Sequence, residues 1–406
     1  MKNTSVMILA GGKSKRMGIL CKLKPKPVLP FGGTFRIIDF TLSNCVHSGN
    51  SDISVLVDHQ RLQLVRYLKR WHSVNIFTPE INILAPANGN YKGTANAVYQ
   101  NLSYLKKTGA VNVLLLASDH IYNMNYNRML KTHMDERADA TVGVVRASPE
   151  DIERFGTISI DQRNRILDFK EKSSQSSSAI VSMGIYVFNI DFLIAHLQED
   201  AERPDSSHDF GYSLLPDMVK RGRVFAYTFN GYWNDIGTIN SYYSAHMKLL
   251  NHLPHLKQDA RYTVLTAWRG LPARRISRQN IINSIISPSC EIRGKVTNSV
   301  LSPGVVVENQ TEVINSVILP NSVIGYHSIV NRCILDQDVK IGKYNYIGWE
   351  DDHPKEITDI TVLGQNVQTP DYVAIGSRCK VMPNTVVADF DNKFIRPGTI
   401  IAARPG

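Results

Sequence analysis

The sequence has no long hydrophobic run. Among its 406 residues, apolar stretches near the start, such as Val6–Ala10, are only a few residues long. A signal peptide needs an apolar core of roughly 7–15 residues, and a membrane-spanning helix needs roughly 20. We therefore expect neither an export signal nor a membrane span, and we predict a cytoplasmic protein.

Cysteine is also scarce. Disulfide frameworks and zinc sites use cysteines paired at short spacing. The cysteines here are widely spaced and form no C-x-x-C pair: Cys21, Cys45, Cys290, Cys333 and Cys379. This pattern argues against both classes and is typical of a protein from a reducing compartment.

Acidic residues are missing from two basic stretches, although the whole chain has a net charge of +10. Residues 1–38 hold Lys2, Lys13, Lys15, Arg16, Lys22, Lys24, Lys26 and Arg36. The span from Ala260 to Cys290 holds Arg261, Arg269, Arg274, Arg275 and Arg278. Clustered bases indicate polyanionic partners. Because no helix-turn-helix, zinc-finger or aromatic-basic RNA motif is present, the sequence favours small phosphate compounds over nucleic acid.

The first 250 residues alternate short β-branched runs with helical stretches. The predicted strands are Val6–Ala10, Ile53–Val57, Val111–Ala117, Thr141–Arg146, Gly156–Ile160 and Ile185–Phe188. The predicted helices include Thr41–Val46, Gln60–Arg70, Thr94–Lys107 and Tyr126–Arg137. This alternation predicts an α/β domain with a mainly parallel sheet wrapped by helices.

Beyond about residue 251 the period changes. Aliphatic residues recur at every sixth position, with turn formers between them: Val317, Val323, Ile329, Leu335, Ile341 and Ile347, then Ile375, Val381 and Val387. This repeat is typical of a parallel β-helix, in which we expect each short strand to stack on the one six positions earlier. A β-sandwich is the alternative. The predicted domains are 1–255 and 281–406, joined by a linker over 256–280.

Three further motifs carry candidate chemistry. Gly11-Gly12-Lys13 follows the first strand, so its backbone N–H groups, with Lys13 and Arg16, can hold phosphates. The alternative is a tight turn with solvated lysines. Asp119 follows a buried-looking strand and Asp235 lies far along the chain, and two such carboxylates could share one Mg²⁺. The alternative for each aspartate is a helix cap.

The third motif runs from Lys170-Glu171-Lys172 to Ser182. A lysine before a loop and a serine opening a strand are plausible contacts for a sugar phosphate, and a solvated charge cluster is the alternative. His120 and His208 are too isolated to argue as metal ligands, so we interpret both as hydrogen-bonding or packing residues.

Together these segments resemble the glucose-1-phosphate adenylyltransferase family of the bacterial glycogen-synthesis type. The resemblance covers residues 5–250 nearly continuously and includes Phe31-Gly32-Gly33-Thr34-Phe35-Arg36, Leu42-Ser43-Asn44-Cys45, Tyr91-Lys92-Gly93-Thr94-Ala95, Asp119-His120-Ile121-Tyr122, Ser207-His208-Asp209-Phe210-Gly211 and Trp233–Thr238. It implies a Rossmann-like nucleotidyltransferase domain followed by a left-handed parallel β-helix of hexapeptide repeats.

The resemblance also implies adenylyl transfer from ATP to glucose 1-phosphate with Mg²⁺, and it implies a role for each matching residue. Arg16, Lys26 and Asp119 would be catalytic. Leu9, Ala10, Gly11, Gly12, Lys13 and Gly93 would bind the nucleotide. Tyr91, Gly156, Glu171, Lys172, Ser182, Asp209 and Trp233 would bind the sugar phosphate. Asp119 and Asp235 would hold the metal.

Some positions depart from the family pattern. Ser14 and Lys15 replace a usual Gly and Thr in the phosphate loop. Pro30, Asp58 and Asn90 replace a usual His, Gln and Trp in segments that the family links to effector response. The catalytic set survives these changes, whereas the response to effectors is left open.

Three other functions compete with this one. The chain could be a non-catalytic regulatory subunit of the same family, although such a subunit would be expected to lose some of Arg16, Lys26, Asp119, Lys172 and Asp235. It could use another nucleotide or hexose phosphate. It could carry a second, acyltransferase activity in the β-helix, but no acid/base histidine is evident there beyond His327. By resemblance we expect a homotetramer or a dimer, possibly with a related subunit.

Overall fold

The computed structural model describes residues 3–58, 61–87, 89–173, 178–252, 263–271, 274–349 and 359–404. Arg261 and residues 256–262 of the predicted linker lie outside them. The chain divides into two compact units. The first takes in the described parts of Met1–Lys13, Ile38–Trp233 and Asp259–Leu265, and the second those of Ser14–Ile37, Asn234–Gln258 and Thr266–Gly406.

A nine-stranded sheet forms the centre of the first unit. Thr4–Leu9 runs parallel to Asn112–Ala117 on one side and to Ile53–Leu56 on the other, and Ile81–Leu84 continues the parallel part outward. The long Ile180–Asn189 strand runs antiparallel to Asn112–Ala117. The remaining strands are Ala140–Arg146, Gly156–Ile160, Ile166–Glu171 and Val224–Thr228. Two short strands, His120–Tyr122 and Trp233–Asp235, lie outside this sheet.

Seven helices accompany these strands in the described residues: α1 Ile37–His47, α2 Arg61–Val74, α3 Thr94–Tyr99, α4 Leu102–Lys107, α5 Tyr126–Asp135, α6 Ile190–Glu202 and α7 Leu215–Arg221. The α/β prediction is confirmed, but the single helix predicted over Thr94–Lys107 is two helices. The Asn101 amide donates to the Ala97 carbonyl at 2.8 Å, and such side-chain bonds compete with the helical backbone. No described helix is long and apolar enough to cross a membrane.

The second unit contains helix α8 (Ile239–His252), the short strands Pro30–Phe31 and Phe35–Arg36, and a parallel β-helix. Arg274–Arg278 runs antiparallel to the first β-helix strand, Ile281–Ile286. The other β-helix strands are Glu291–Ile292, Lys295–Thr297, Val300–Leu301, Val306–Val307, Glu312–Ile314, Val317–Ile318, Val323–Ile324, Ile329–Asn331, Cys333–Leu335, Lys340–Ile341, Tyr346–Trp349, Thr361–Leu363, Ala374–Gly376, Lys380–Val381, Phe394–Ile395 and Ile400–Ile401. Apolar side chains from these strands fill the interior, among them the predicted repeat positions Leu335, Ile341, Ile347, Ile375 and Val381. Two other predicted positions, Ile329 and Val387, are exposed instead.

The stacking distance along the β-helix differs from the prediction. Val313 pairs with Val330, which lies 17 positions (330 − 313) further on, so each strand stacks on its counterpart one whole coil away. The predicted stacking at six positions is therefore wrong. Three equal steps of six residues would need one residue more than a coil of 17 contains, so the repeat shifts by one position within a coil. Ile324 and Val330 are therefore buried, whereas Ile329 is exposed.

A ladder of small polar side chains closes one corner of successive coils. The Ser299 hydroxyl accepts a hydrogen bond from the Ser316 backbone N–H at 3.0 Å, and the Ser316 hydroxyl accepts one from Cys333 at 3.1 Å. Cys333 occupies the same corner one coil further on. All five cysteines are free thiols, so this cysteine serves packing rather than cross-linking.

Candidate active site

The predicted phosphate loop leaves the end of the Thr4–Leu9 strand. The Ala10 N–H donates to the Leu56 carbonyl at 3.0 Å, which ties the start of the loop to the neighbouring strand. A Cβ on Gly11 would lie 2.9 Å from the Asp58 Cβ, so the loop passes close to that side chain. Gly12 and Lys13 are exposed, and a Cβ on Gly12 would meet nothing within 4 Å. The loop therefore presents its backbone to an open space.

Tyr91 is held beside this loop. Its N–H donates to the Asp58 carboxylate at 3.2 Å, and its hydroxyl accepts from the Asn101 amide at 3.0 Å. Burial raises the pKa of Tyr91 above its ordinary value, so the hydroxyl stays protonated at neutral pH. Asp58, one of the departures from the family pattern, thus helps to orient Tyr91, which is predicted to bind the sugar phosphate.

Gly93 permits a close backbone contact at the start of α3. A Cβ there would clash with the carbonyl oxygen of His208, whose oxygen accepts from the Ala95 N–H at 2.9 Å. The Thr94 hydroxyl donates to the Asp209 carboxylate at 2.9 Å. These bonds bring Gly93 and Asp209, which are 116 positions apart (209 − 93), to one place. Thr94 belongs to a motif that carries the family resemblance, and the role of its hydroxyl is visible only in this contact.

The Glu171 carboxylate is fitted between two glycines. A Cβ on Gly156 would lie 2.8 Å from its Oε2 atom, and a Cβ on Gly211 would lie 2.5 Å from the same atom. The Glu171 side chain is only 15% exposed. A larger residue at either position would move the end of the Glu171 side chain, and at Gly156 its Cβ would also lie 2.4 Å from the Phe169 ring. Gly211 stands two residues after Asp209, so the contact joins the Glu171 strand to the Asp209 segment.

Lys172 lies at the end of this strand with a backbone φ of 47°, a left-handed conformation that is uncommon for lysine. Its Nζ is 2.8 Å from Glu171 Oε1 and 5.2 Å from the centre of the Tyr212 ring. Burial lowers the pKa of Lys172, but the hydrogen bond and charge of Glu171 more than offset burial and raise it. The site therefore holds a fixed positive charge at neutral pH.

Ser182 lies on the adjoining strand and is buried. Its hydroxyl accepts from the Gly184 N–H at 3.2 Å and lies 3.3 Å from the Tyr186 hydroxyl. Burial raises the pKa of Tyr186, and the charges of Glu171 and Asp209 raise it further. The Tyr186 hydroxyl is thus a permanent hydrogen-bond donor, and its charge neighbours are the carboxylates of the predicted sugar site.

Asp119 follows the Asn112–Ala117 strand at its C-terminal end. Its carboxylate is about one-third exposed and lies 3.4 Å from Nε2 of His120. The His120 ring packs edge-on against Trp233, with ring centres 5.1 Å apart. Trp233 also contacts Phe155, whose carbonyl accepts from the Lys172 N–H at 3.1 Å. These contacts connect Asp119 to the Lys172 cluster, which consists of Lys172 and the carboxylates of Glu171 and Asp209.

Trp233 has an additional feature. Its Nε1 atom is buried and finds no hydrogen-bond acceptor within the described part of the chain. A buried N–H donor without an acceptor costs roughly 1–3 kcal/mol, so such a group often has a ligand as its partner. This places an unused donor between Asp119 and Lys172.

Helix α1 supports the segment that carries Asp119. The Thr41 hydroxyl donates to the Ala117 carbonyl at 3.2 Å, and the Asn44 amide donates to the Tyr122 carbonyl at 3.3 Å. The Asn44 amide oxygen also accepts from the Met124 N–H at 3.1 Å. Asn44 belongs to a motif that carried the family resemblance, and the structure gives that residue its role.

The other predicted residues, Arg16, Lys26 and Asp235, belong to the second unit. Arg16 is exposed in the 3₁₀ segment Lys15–Cys21, and Lys26 is buried at the start of Lys26–Val28. Asp235 is the last residue of the Trp233–Asp235 strand, two positions after Trp233.

The segment that carries Lys26 is anchored by a buried ion pair within the second unit. Lys24 Nζ lies 2.7 Å from Asp336 Oδ1 and donates to Gln337 Oε1 at 2.8 Å. Both charged side chains are at most 5% exposed, and Oδ2 of Asp336 accepts no hydrogen bond from the described residues. Burial lowers the pKa of Lys24 and raises the pKa of Asp336. The pair is thus held by mutual attraction against a desolvation cost.

Comparison with known families agrees with this arrangement. The nucleotidyl transferase family matches residues 5–252, and the GlmU-like C-terminal hexapeptide family matches residues 271–368. The first match spans more than half of the chain. The chain therefore belongs to the nucleotidyl transferase family.

Individual relatives narrow the class. The glucose-1-phosphate adenylyltransferase of Acetivibrio thermocellus is 37% identical over 96% of this chain and 95% of the relative. The proteins of that name from Desulforamulus reducens and Methylobacillus flagellatus are 37% and 38% identical, over 94% and 92% of this chain and 98% and 94% of the relatives. Within the nucleotidyl transferases, the chain belongs to the glucose-1-phosphate adenylyltransferase family.

The buried ion pair generates a stability prediction. Asp336→Leu or Lys24→Met alone leaves one buried charge without its partner and is expected to lower the free energy of unfolding by about 3–5 kcal/mol. The double variant is expected to unfold near the wild-type free energy or above it, because both desolvation costs are removed. Urea unfolding followed by tryptophan fluorescence measures all three. If the double variant lost as much free energy of unfolding as the two single variants together, this result would contradict the pairing.

Proposed function

We propose that this protein transfers the adenylyl group of ATP to glucose 1-phosphate, forming ADP-glucose for α-glucan (glycogen) synthesis and releasing pyrophosphate. An oxygen of the sugar phosphate attacks the α-phosphorus of ATP, and the bond to the pyrophosphate oxygen breaks. The attacking phosphate has a second pKa near ~6 and is already ionised at neutral pH, so the reaction needs no general base. Positioning and charge neutralisation carry the rate.

One observation supports this proposal above the others. The connected set from Asp119 through Trp233 and Phe155 to Lys172 and Glu171 joins one residue that the family resemblance implied for the metal to three that it implied for the sugar phosphate. Asp119 and Trp233 are 114 positions apart (233 − 119), so their proximity is a property of the fold. The names of the relatives provide the substrate identities that this geometry alone leaves open.

The sugar phosphate is assigned to the Lys172 cluster. Lys172 faces the phosphate, and Glu171 and Asp209 accept hydrogen bonds from sugar hydroxyl groups. Ser182 and Trp233 donate hydrogen bonds to the sugar phosphate. Tyr91 and Gly156 complete the pocket wall. A carboxylate pair beside one ammonium group suits a ligand that combines one phosphate with several hydroxyls.

The nucleotide is assigned to the loop Leu9, Ala10, Gly11, Gly12 and Lys13, together with Gly93. Backbone N–H groups and Lys13 would hold the triphosphate, and Arg16 and Lys26 would stabilise the departing pyrophosphate. Exposed Gly12 admits the close approach of a phosphate that a side chain would obstruct.

Asp119 and Asp235 are assigned to one Mg²⁺. Carboxylate oxygens are the ligands that this ion prefers, and Asp119 is partly exposed beside the connected set. Asp235 and Trp233 stand two apart on one strand, where alternate side chains share a face, and Trp233 packs on the residue after Asp119. When bound, the ion would neutralise phosphate charge.

The remaining predictions belong to this proposal as well. Residues 1–255 would form the catalytic domain, 256–280 the linker and 281–406 the β-helix domain for assembly. The expected assembly is a homotetramer, possibly with a related subunit, located in the cytoplasm and binding neither nucleic acid nor membrane.

The direct test is pyrophosphate release by the purified protein with Mg²⁺ and glucose 1-phosphate, comparing ATP, GTP, UTP and dTTP. We expect turnover with ATP and ADP-glucose as the product. Turnover with another nucleotide would contradict the substrate assignment while keeping the reaction class. Silence with all four in a folded protein would contradict catalysis by this chain alone and favour a regulatory subunit.

A variant tests the sugar-phosphate assignment. Lys172→Met removes a charge-assisted contact worth roughly 1.5–3 kcal/mol, so the KM for glucose 1-phosphate should rise about ten- to a hundredfold. The KM for ATP should stay within about twofold. Lys170→Met is the matched control, because Lys170 is 57% exposed and pairs only loosely, at 3.4 Å, with Asp168. An unchanged KM for glucose 1-phosphate in Lys172→Met would contradict the assignment.

A further inference from the structure

His208 directly precedes Asp209, and its side chain is held by helix α6. The His208 Nδ1 atom lies 2.9 Å from Oδ2 of Asp200, near the end of that helix. A carboxylate has no proton to give, so Nδ1 is the donor of this hydrogen bond. The two side chains are only 15% and 7% exposed. Because the pair is largely shielded from water, its hydrogen bond is stronger than one at the surface.

Ser206 connects the same two residues a second time. Its hydroxyl donates to Oδ1 of Asp200 at 2.5 Å and accepts from the His208 backbone N–H at 2.9 Å. Both oxygens of the Asp200 carboxylate are thus used. His208 has a left-handed φ of 53°, which is uncommon outside glycine and persists only where the surroundings enforce it. The Asp200 carboxylate and the Ser206 hydroxyl are those surroundings.

The His208 backbone meets helix α3 through its carbonyl group. The oxygen accepts from the Ala95 N–H at 2.9 Å and from the Asn96 N–H at 3.2 Å. N–H groups in the first turn of a helix have no partner within the helix, so an acceptor from outside fixes the helix end. His208 therefore holds α6 and α3 together, with its side chain on one helix and its carbonyl on the other.

The orientation of the Asp209 carboxylate depends on this anchor. Its Oδ1 accepts from the Gly211 N–H at 2.9 Å, and its Oδ2 accepts from the Thr94 hydroxyl at 2.9 Å. The same hydroxyl accepts from the Phe210 N–H at 3.0 Å. Thr94 belongs to α3, so both contacts require the segment after His208 to stay against that helix.

We propose that Asp200 and His208 are positioning residues for the sugar: they hold the Asp209 carboxylate where sugar hydroxyl groups bind, and they act through Asp209 rather than on the substrate. Because Asp209 is assigned to the sugar only in the proposed function, this role rests on that function. The Nδ1 hydrogen bond is the essential part, since it keeps the His208 backbone in a conformation that the residue alone would avoid.

The first test compares the steady-state kinetics of the full-length chain with two changes at residue 208. His208→Gly suits the left-handed backbone but removes the Nδ1 donor. His208→Asn keeps both, because asparagine tolerates that backbone and its amide nitrogen takes the place of Nδ1. In His208→Gly the KM for glucose 1-phosphate should rise about tenfold, while kcat and the KM for ATP stay within about threefold. His208→Asn should restore the KM to within about threefold of the wild type.

The second test shows whether His208 acts through Asp209. The double variant His208→Gly/Asp209→Asn should have a KM for glucose 1-phosphate within about twofold of that of Asp209→Asn, because both changes remove the same contact. Arg137→Gly is the matched control for a glycine at a left-handed position. Arg137 is exposed, has a φ of 45° and lies outside the site, so its replacement should change none of the kinetic constants.

Hydrogen–deuterium exchange tests the anchor without turnover. Asp200→Asn leaves one acceptor oxygen for the two donors of Ser206 and His208. In this variant and in His208→Gly, the N–H groups of Ala95 and Asn96 should exchange about tenfold faster than in the wild type, because their acceptor is no longer fixed. His208→Asn should exchange like the wild type.

Three kinetic results would overturn the proposal: an unchanged KM for glucose 1-phosphate in His208→Gly, a His208→Asn variant as impaired as His208→Gly, or single increases that multiply in the double variant. An equal rise in the KM for ATP would indicate a general loss of structure and would overturn it too. If His208→Gly does not fold, Asp200→Asn replaces it in the kinetic comparison with the same expected result.

Failure of the proposed function has a different signature. A folded wild type that releases no pyrophosphate would contradict that function, whereas the exchange measurement would still decide on the anchor. Faster exchange at Ala95 and Asn96 in Asp200→Asn would support it, and unchanged exchange would overturn it.

Discussion

The substrate site depends on how closely the backbone approaches one carboxylate. Glu171 is enclosed by Gly156 and Gly211, and a Cβ at either position would overlap its oxygen atom. The contact with Gly211 joins the Glu171 strand to the Asp209 segment, and the Glu171 carboxylate raises the pKa of the neighbouring Lys172. The site is thus built by glycines as much as by the charged residues.

The second unit shows a different balance of forces. Its β-helix gains stability from stacked aliphatic side chains and from the hydroxyl ladder that includes Ser316. The Lys24–Asp336 pair costs desolvation, and its value is in fixing one register for the segment that also carries Lys26. This ion pair therefore fixes the position of the segment rather than adding to the free energy of unfolding.

Much of the fold follows from periodicity, because a strand–helix alternation and an aliphatic repeat are visible without partners. Residue contacts between distant segments are not. No sequence feature near Lys24 indicates that its partner, Asp336, lies 312 positions away. The six-residue repeat likewise does not reveal that strands pair across a coil of 17 residues. Motif resemblance is enough to predict the candidate site residues. The supporting roles of Thr94, Tyr212 and Phe155 are visible only in their contacts with Asp209, Lys172 and Trp233. These supporting residues act through geometry, for which local sequence carries little signal.

We propose that Asp119 and Asp235 bind one cation. The most direct measurement is Mn²⁺ binding by electron paramagnetic resonance in the presence of ATP, as a stand-in for Mg²⁺. Wild type, Asp119→Asn, Asp235→Asn and the double variant would be compared. The account predicts that either single change weakens Mn²⁺ binding strongly and that the double variant binds no worse than the singles. Wild-type Mn²⁺ affinity in either single variant would contradict a shared cation. So would a double variant whose loss of Mn²⁺ affinity equals the sum of the two single losses.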